Sequence, residues 1–107
     1  MVNLEKYTLM TEITTYRSAL EWLIYNGGFN FTYQDHFYRL DICGQYHTDD
    51  GKVLQWYYIN EVFQADDGSE TEDMLADDLS FNQLVRKKVF NGRSFREIFP
   101  ELKFYYW

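Results

Sequence analysis

The spacing of apolar residues changes three times along the chain. From Thr11 to Tyr25, Ile13, Tyr16, Leu20, Leu23 and Ile24 recur every three or four positions while Glu12, Arg17 and Glu21 take the opposite face, which predicts an amphipathic helix. Thr11 is its expected N-cap. Asn26-Gly27-Gly28 supplies residues that tolerate the left-handed conformation in which helices end. The preceding VNLEKYTLM fits either an extra helical turn or a short strand.

The spacing then shortens to strands. FNFTY, HFYRLDICGQYH and KVLQWYYINEVF are rich in aromatic and β-branched residues and are separated by turn signals, which predicts a three-stranded antiparallel meander. A two-residue loop at Asp35-His36 sets Tyr33 opposite Tyr38, Phe31 opposite Leu40 and Phe29 opposite Ile42. A three-residue loop at Asp49-Asp50-Gly51 sets Tyr46 opposite Leu54, Gly44 opposite Trp56 and Ile42 opposite Tyr58. Both registers choose the same apolar face. They put Trp56 and Tyr58 in the core, and Phe37, Cys43, Tyr57 and Ile59 on the outer face. Arg39 is expected opposite Glu61 as a cross-strand ion pair.

Helical spacing returns in SFNQLVRKKVF, where Ser80 and Gln83 stand as a capping box and Asn91-Gly92 ends the run. SFREIFPEL repeats the grammar with Ser94 and Glu97. Pro100 restricts its continuation. KFYYW closes the chain as a candidate fourth strand or a docked aromatic plug. The expected fold is therefore α+β: an N-terminal amphipathic helix, the meander, and C-terminal short helices packed on one sheet face, all in one domain spanning 1–107.

Composition narrows the function classes. At 107 residues with 46% hydrophobic and 21% aromatic residues, the chain has enough apolar material to fold as one module despite a net charge of -7. No run has the pattern of a signal peptide and none approaches the ~20 apolar residues of a membrane span, so a cytoplasmic protein with no membrane contact is expected. The single Cys43 agrees with a reducing compartment. The negative charge disfavours direct binding to nucleic acid, because such binding rewards Lys and Arg that neutralise phosphates. A partner with a basic surface is the complementary expectation.

Glu61 to Asp78 reads EVFQADDGSETEDMLADD and holds eight carboxylates with no Lys or Arg. A calcium loop of the EF-hand type fails here, since placing Gly68 at the central glycine puts Phe63 at the first ligand position. A catalytic carboxylate pair lacks a buried setting or a partner to move its pKa. Cys43 and His47 share a strand face but lie about 13 Å apart at ~3.3 Å per residue, and His36 points the other way, so neither zinc nor a nucleophile-base pair is indicated. No catalytic or nucleotide-binding fingerprint occurs, and no cofactor or metal is expected. Arg86, Lys87, Lys88, Arg93 and Arg96 read as charges that suit the ends of the C-terminal helices.

Glu61 belongs to the third strand, and Asp77 and Asp78 lie just ahead of the Ser80 cap. Asp66, Asp67, Glu70, Glu72 and Asp73 remain, and they are the candidate residues for a basic partner. Phe37, Tyr57 and Ile59 form a secondary contact face, for a partner or a second copy of the chain. The leading function is a non-enzymatic protein-interaction module, in its sharpest form an inhibitor that presents carboxylates where a basic partner expects phosphates. The alternatives are a small-ligand or peptide binder using an aromatic sheet face, and a purely structural subunit. VFNGRSFREIFPEL together with YYINEVFQADD resembles short acidic uncharacterised proteins of Gram-positive bacteria and their phages; the resemblance implies no activity and carries no site residue.

Overall fold

A computed structural model describes residues 2–107 as one five-stranded sheet with its three α-helices on one face. The strands are β1 (Phe29–Tyr33), β2 (His36–His47), β3 (Val53–Gln64), β4 (Glu70–Asp78) and β5 (Lys103–Tyr105). Their spatial order is β4-β3-β2-β1-β5, and every neighbouring pair is antiparallel. The helices are α1 (Tyr16–Asn26), α2 (Phe81–Leu84) and α3 (Phe95–Ile98), with single 3-10 turns at Leu4–Lys6 and Phe99–Glu101.

The α+β class and the antiparallel meander are as expected, but the sheet has two more strands. KFYYW supplies β5, which pairs with β1 and is itself bridged by Leu9 to Tyr105. The acidic stretch, given no strand above, supplies β4. Its Glu- and Asp-rich composition has poor β propensity, yet pairing with β3 overrides it, as tertiary context does for edge strands.

α1 begins four residues later than expected. Thr15, not Thr11, is its N-cap, accepting from the Ser18 amide while the Ser18 hydroxyl accepts from the Thr15 amide. Ala19 and Leu23 are fully buried, with Tyr16, Leu20 and Trp22 packed beside them. At ~100° per residue, Ile24 falls off that stripe and is exposed. Ser80 caps α2 and Ser94 caps α3, the latter with the reciprocal Glu97 bond of a capping box. α2 stops at Leu84, well before Asn91-Gly92, which instead forms a tight turn between Phe90 and Arg93.

Both hairpin registers differ from expectation, with opposite consequences. The β1–β2 loop is Gln34-Asp35, both at positive φ (48° and 64°), the requirement of a type I′ turn. Tyr33 therefore pairs with His36 and Phe31 with Tyr38. That shift of two residues leaves every side chain on its expected face. In β2–β3 the pairing nearest the turn is as expected, with Tyr46 opposite Leu54, but Cys43 and Gly44 together stand opposite Trp56 in a bulge. Gly44 adopts φ 144°, which a glycine accepts without the Cβ penalty. Beyond the bulge the register is shifted by one: Ile42 faces Tyr57, Leu40 faces Ile59 and Arg39 faces Asn60.

A one-residue shift reverses the faces of β3 relative to the apolar face of β1 and β2. Ile59 is fully buried in the helix-side core with Phe31, Leu40 and Phe95, and Tyr57 packs against the same core. Trp56 and Tyr58, expected inside, lie on the helix-free face, where the Trp56 indole donates to Asp77 at 2.8 Å. Phe37 is also buried, but on the helix-free side, with Val2, Val62 and Tyr105. The expected contact face of Phe37, Tyr57 and Ile59 is therefore divided between two buried clusters on opposite sides of the sheet.

Gly28 packs where no Cβ fits: one built there would stand 2.5 Å from the Asp41 Cγ. Gly28→Ala is expected to destabilise the fold by about 1–3 kcal/mol, read from the urea midpoint. A change below a few tenths would mean that Asp41 swings aside without cost. Burial raises the Asp41 pKa above its usual 3.8, against the pull of the Ile42 and Gly28 amides, Arg39 and Tyr58. A carboxyl that holds its proton more tightly when folded contributes stability in full below 3.8 and loses it as pH rises through the raised value. The stability of Asp41→Asn should accordingly gain on the wild type as pH climbs from below 3.8 toward neutrality. A pH-independent gap in urea titrations would exclude this.

Candidate interaction site on the acidic edge

β3 and β4 meet in a tight turn in which the Ala65 amide donates to the Ser69 carbonyl (2.8 Å) and Gly68 takes φ 86°. Asp67 fastens this turn, accepting from the Ser69 amide and hydroxyl at 2.9 and 2.6 Å. Those bonds to Ser69 hold its pKa below the usual carboxylate range. β4 is the outermost strand, with β3 as its only sheet neighbour. An edge strand lined with carboxylates repels a copy of itself, a device that blunts edge-to-edge pairing.

The helix-free side of this edge is organised by Arg39, which is 4% exposed. Its Nε donates to Asn30 Oδ1 at 2.7 Å, Nη1 to Glu72 at 2.9 Å and Nη2 to the Tyr7 hydroxyl at 3.3 Å. Tyr7 in turn donates to Glu70 at 2.7 Å, and Asn60 donates to the other Glu72 oxygen at 3.1 Å. Trp107 closes the group from above, its ring centroid 4.4 Å from the guanidinium carbon. A rigid planar fork distributes its donors over three partners in this way, which one ammonium cannot do. Burial, with the Glu70 carboxylate acting in the same direction, raises the Tyr7 pKa, so this phenol keeps its proton and remains a donor.

Four of the five candidate partner-binding carboxylates lie on β4 or in its turn in a bonded or opposed position. Glu70 and Glu72 are engaged by Tyr7, Arg39 and Asn60, and Asp67 by Ser69. Asp73 pairs across the strands with Glu61 on the helix-bearing face, and Asp66 lies exposed in the turn. Neither Asp66 nor Asp73 has a hydrogen-bond or ion-pair partner among the described residues. Asp77 accepts from Trp56, and Asp78 accepts from the Ser80 amide and lies 3.4 Å from Lys87 Nζ. Glu61, expected to pair with Arg39, instead holds the His36 imidazole Nδ1 at 2.8 Å, because the bulge moves Asn60 opposite Arg39.

Two features carry no obvious sequence signal. Arg39 reads as an ordinary polar position on an alternating strand, and only the folding of the N-terminal segment, β4 and Trp107 over it makes it buried. The second is a cleft of about 160 Å3 on the helix-bearing side, between the sheet and the turn that follows α2, lined by Tyr33, His36, Tyr38, Glu61, Phe90 and Asn91. Burial first, and the Glu61 carboxylate next, push the Tyr38 pKa up to about 12. The phenol is therefore protonated at any physiological pH.

Beyond the covered region the helix-free face is open. Tyr46 and Trp56 are exposed on the outer half of the β2–β3 hairpin, where no third strand pairs with it, and Met74 is exposed beside Asn60. Among the described residues no three His, Cys, Asp or Glu side chains gather as a metal-ligand set, and no helix is long and apolar enough to cross a membrane. Fold and site together define an α+β module with a single antiparallel sheet, one helix-covered face and an acidic outer strand. No family model, curated protein or solved structure matches this chain.

Proposed function

We propose that the chain is a non-enzymatic protein-interaction module whose acidic β3–β4 edge engages a basic surface on a partner protein. The observation that supports this reading is the charge imbalance along that edge. Among the described residues, eight carboxylates from Glu61 to Asp78 meet three permanent cations, Arg39 and Lys87 as ion-pair partners and Lys6 through the Gly68 carbonyl, with His36 as a further neighbour. Such an excess on one side produces a field that steers and orients a cationic partner. In its sharpest form the module inhibits a nucleic-acid-handling protein of a bacterial or phage system, standing in for phosphates in that protein's groove.

Capture experiments at low and high salt test the reading, comparing the wild type with a chain carrying Asp66→Asn and Asp73→Asn. Those two side chains have no partner among the described residues, so their neutralisation leaves the Arg39 group intact. Basic proteins should be retained at low salt, be displaced by duplex DNA, and be held several-fold less well by the variant. Retention of no basic protein at low salt would end the proposal.

The open aromatics favour a second reading, a peptide laid along the helix-free face against Tyr46, Trp56 and Met74, or the same face of a second copy. Tryptophan fluorescence titrated with peptides, nucleotides and sugars, together with the concentration dependence of sedimentation, addresses it. An unchanged emission and a constant monomer mass would remove both versions.

A further inference from the structure

The cleft between Tyr38 and Glu61 has the composition of a cation site. Three aromatic rings form its walls: Tyr33 and Tyr38 from the sheet, and Phe90 from the turn after α2, set edge-on to both at 6.0 and 5.0 Å. Glu61 brings the charge, with only 17% of its side chain exposed, and Asp73 stands opposite it across the strands on the same face. Tyr38 is 7% exposed. Chain cations nearby are committed elsewhere. Arg93 reaches the Tyr33 hydroxyl at 3.3 Å but is neutralised by Glu101 at 2.8 Å, and Lys88 is held by Glu97 at 2.9 Å. Among the described residues the only basic group on Glu61 is His36, whose ring is more than half exposed.

Aromatic side chains offer an apolar wall, and a carboxylate shielded from water binds a cation more strongly than an exposed carboxylate does. An alkyl cation fits both requirements, because its apolar stem lies along the rings while its head meets Glu61. We infer that this cleft receives one lysine or arginine side chain of the basic partner, its stem against the Tyr33, Tyr38 and Phe90 side chains that line the cleft and its charge on Glu61. This inference rests on the proposed interaction with a basic protein and names the residue class that anchors it. The edge carboxylates steer the partner, and the cleft fixes its register.

The probes are N-acetyl-arginine amide and N-acetyl-lysine amide, with N-acetyl-citrulline amide as the uncharged comparator, titrated into the whole chain and followed by amide chemical shifts. Saturable shifts are expected at Gln34, His36, Tyr38 and Glu61 with at least one cation. They should be about tenfold weaker or more with citrulline, as the loss of a charge-assisted bond predicts. Glu61→Gln should weaken cation binding to the citrulline level. Tyr38→Phe, which keeps the ring and the fold, should weaken it less and serves as the second variant. Equal binding of citrulline, or shifts spread without saturation over Asp66 to Asp73, overturns the inference. The two proposals separate cleanly: if Glu61→Gln captures basic proteins as well as the wild type does, the cleft is not the anchor and the acidic edge stands. Saturable cation binding in the cleft without capture of any basic protein sinks the function and leaves the site.

Discussion

Replacing Arg39 by methionine is expected to cost the fold about 3 kcal/mol, the low end of the range for removing one member of a buried ion pair. The low end applies because Glu70 and Glu72 keep 24% and 33% of their side-chain exposure and recover some solvation when the cation goes. Asn30 does not recover: it is fully buried, and its Oδ1 loses the 2.7 Å bond from Nε. Trp107 loses the cation beneath its ring. Set against a usual stability of about 5–15 kcal/mol, such a loss leaves the variant marginal. Urea unfolding measures it directly, and combining Arg39→Met with Glu72→Gln should restore part of the loss, because the second change removes the orphaned charge. A single-variant cost under about 1 kcal/mol would mean that the guanidinium contributes little beyond its own desolvation. Arg39→Lys should also destabilise, since an ammonium cannot serve Asn30, Glu72 and Tyr7 together.

Phe31→Ala is expected to cost about 3–5 kcal/mol, the range for truncating a core aromatic. Phe31 is fully buried at the centre of β1, and its ring meets those of Phe29, Tyr38, Phe90, Phe95 and Phe104 within 6.4 Å. These neighbours come from β1, β2, the turn after α2, α3 and β5, so no single element can relax into the space. The cost should exceed that of Phe99→Ala, because Phe99 is only partly buried at the edge of the same cluster. Thermal or urea unfolding of the two variants makes the comparison, and equal losses would show a core that collapses freely.

Much of the local grammar was legible in the sequence because it depends on neighbours only a few residues apart. Glycine at position 27 ends α1 at positive φ, Ser94 and Glu97 form their reciprocal cap, and the Asp49-Asp50-Gly51 hairpin has the expected pairing next to its turn. Alternation also found the inward face of β1, where Phe29, Phe31 and Tyr33 are all buried. Thr11 was a poorer cap than Thr15 for a longer-range reason. Ile13 is needed in the core ahead of the helix rather than as part of it.

The acidic stretch shows where local reading stops. Its charge pattern resembles that of a solvated connection, and no neighbour-scale rule makes it a strand. Pairing with β3, together with Arg39 and Tyr7 waiting on the helix-free face for Glu72 and Glu70, turns it into the sheet edge. The cleft is a similar case, since Tyr38 and Glu61 are paired only through the shifted register and Phe90 arrives from a turn far along the chain.

The sequence alone determined the α+β class, the order of helix and meander, the Ser80 and Ser94 caps, the Asp49-Asp50-Gly51 turn, and the concentration of negative charge between Glu61 and Asp78. Tertiary structure decided which side of the sheet each β3 residue occupies, which carboxylates are spent on internal bonds, and which charge is buried. The physical reason lies at Gly44. A bulge is one extra residue whose cost depends on packing at a distance, and with a side-chain period of two that single residue exchanges the inner and outer faces of everything beyond it.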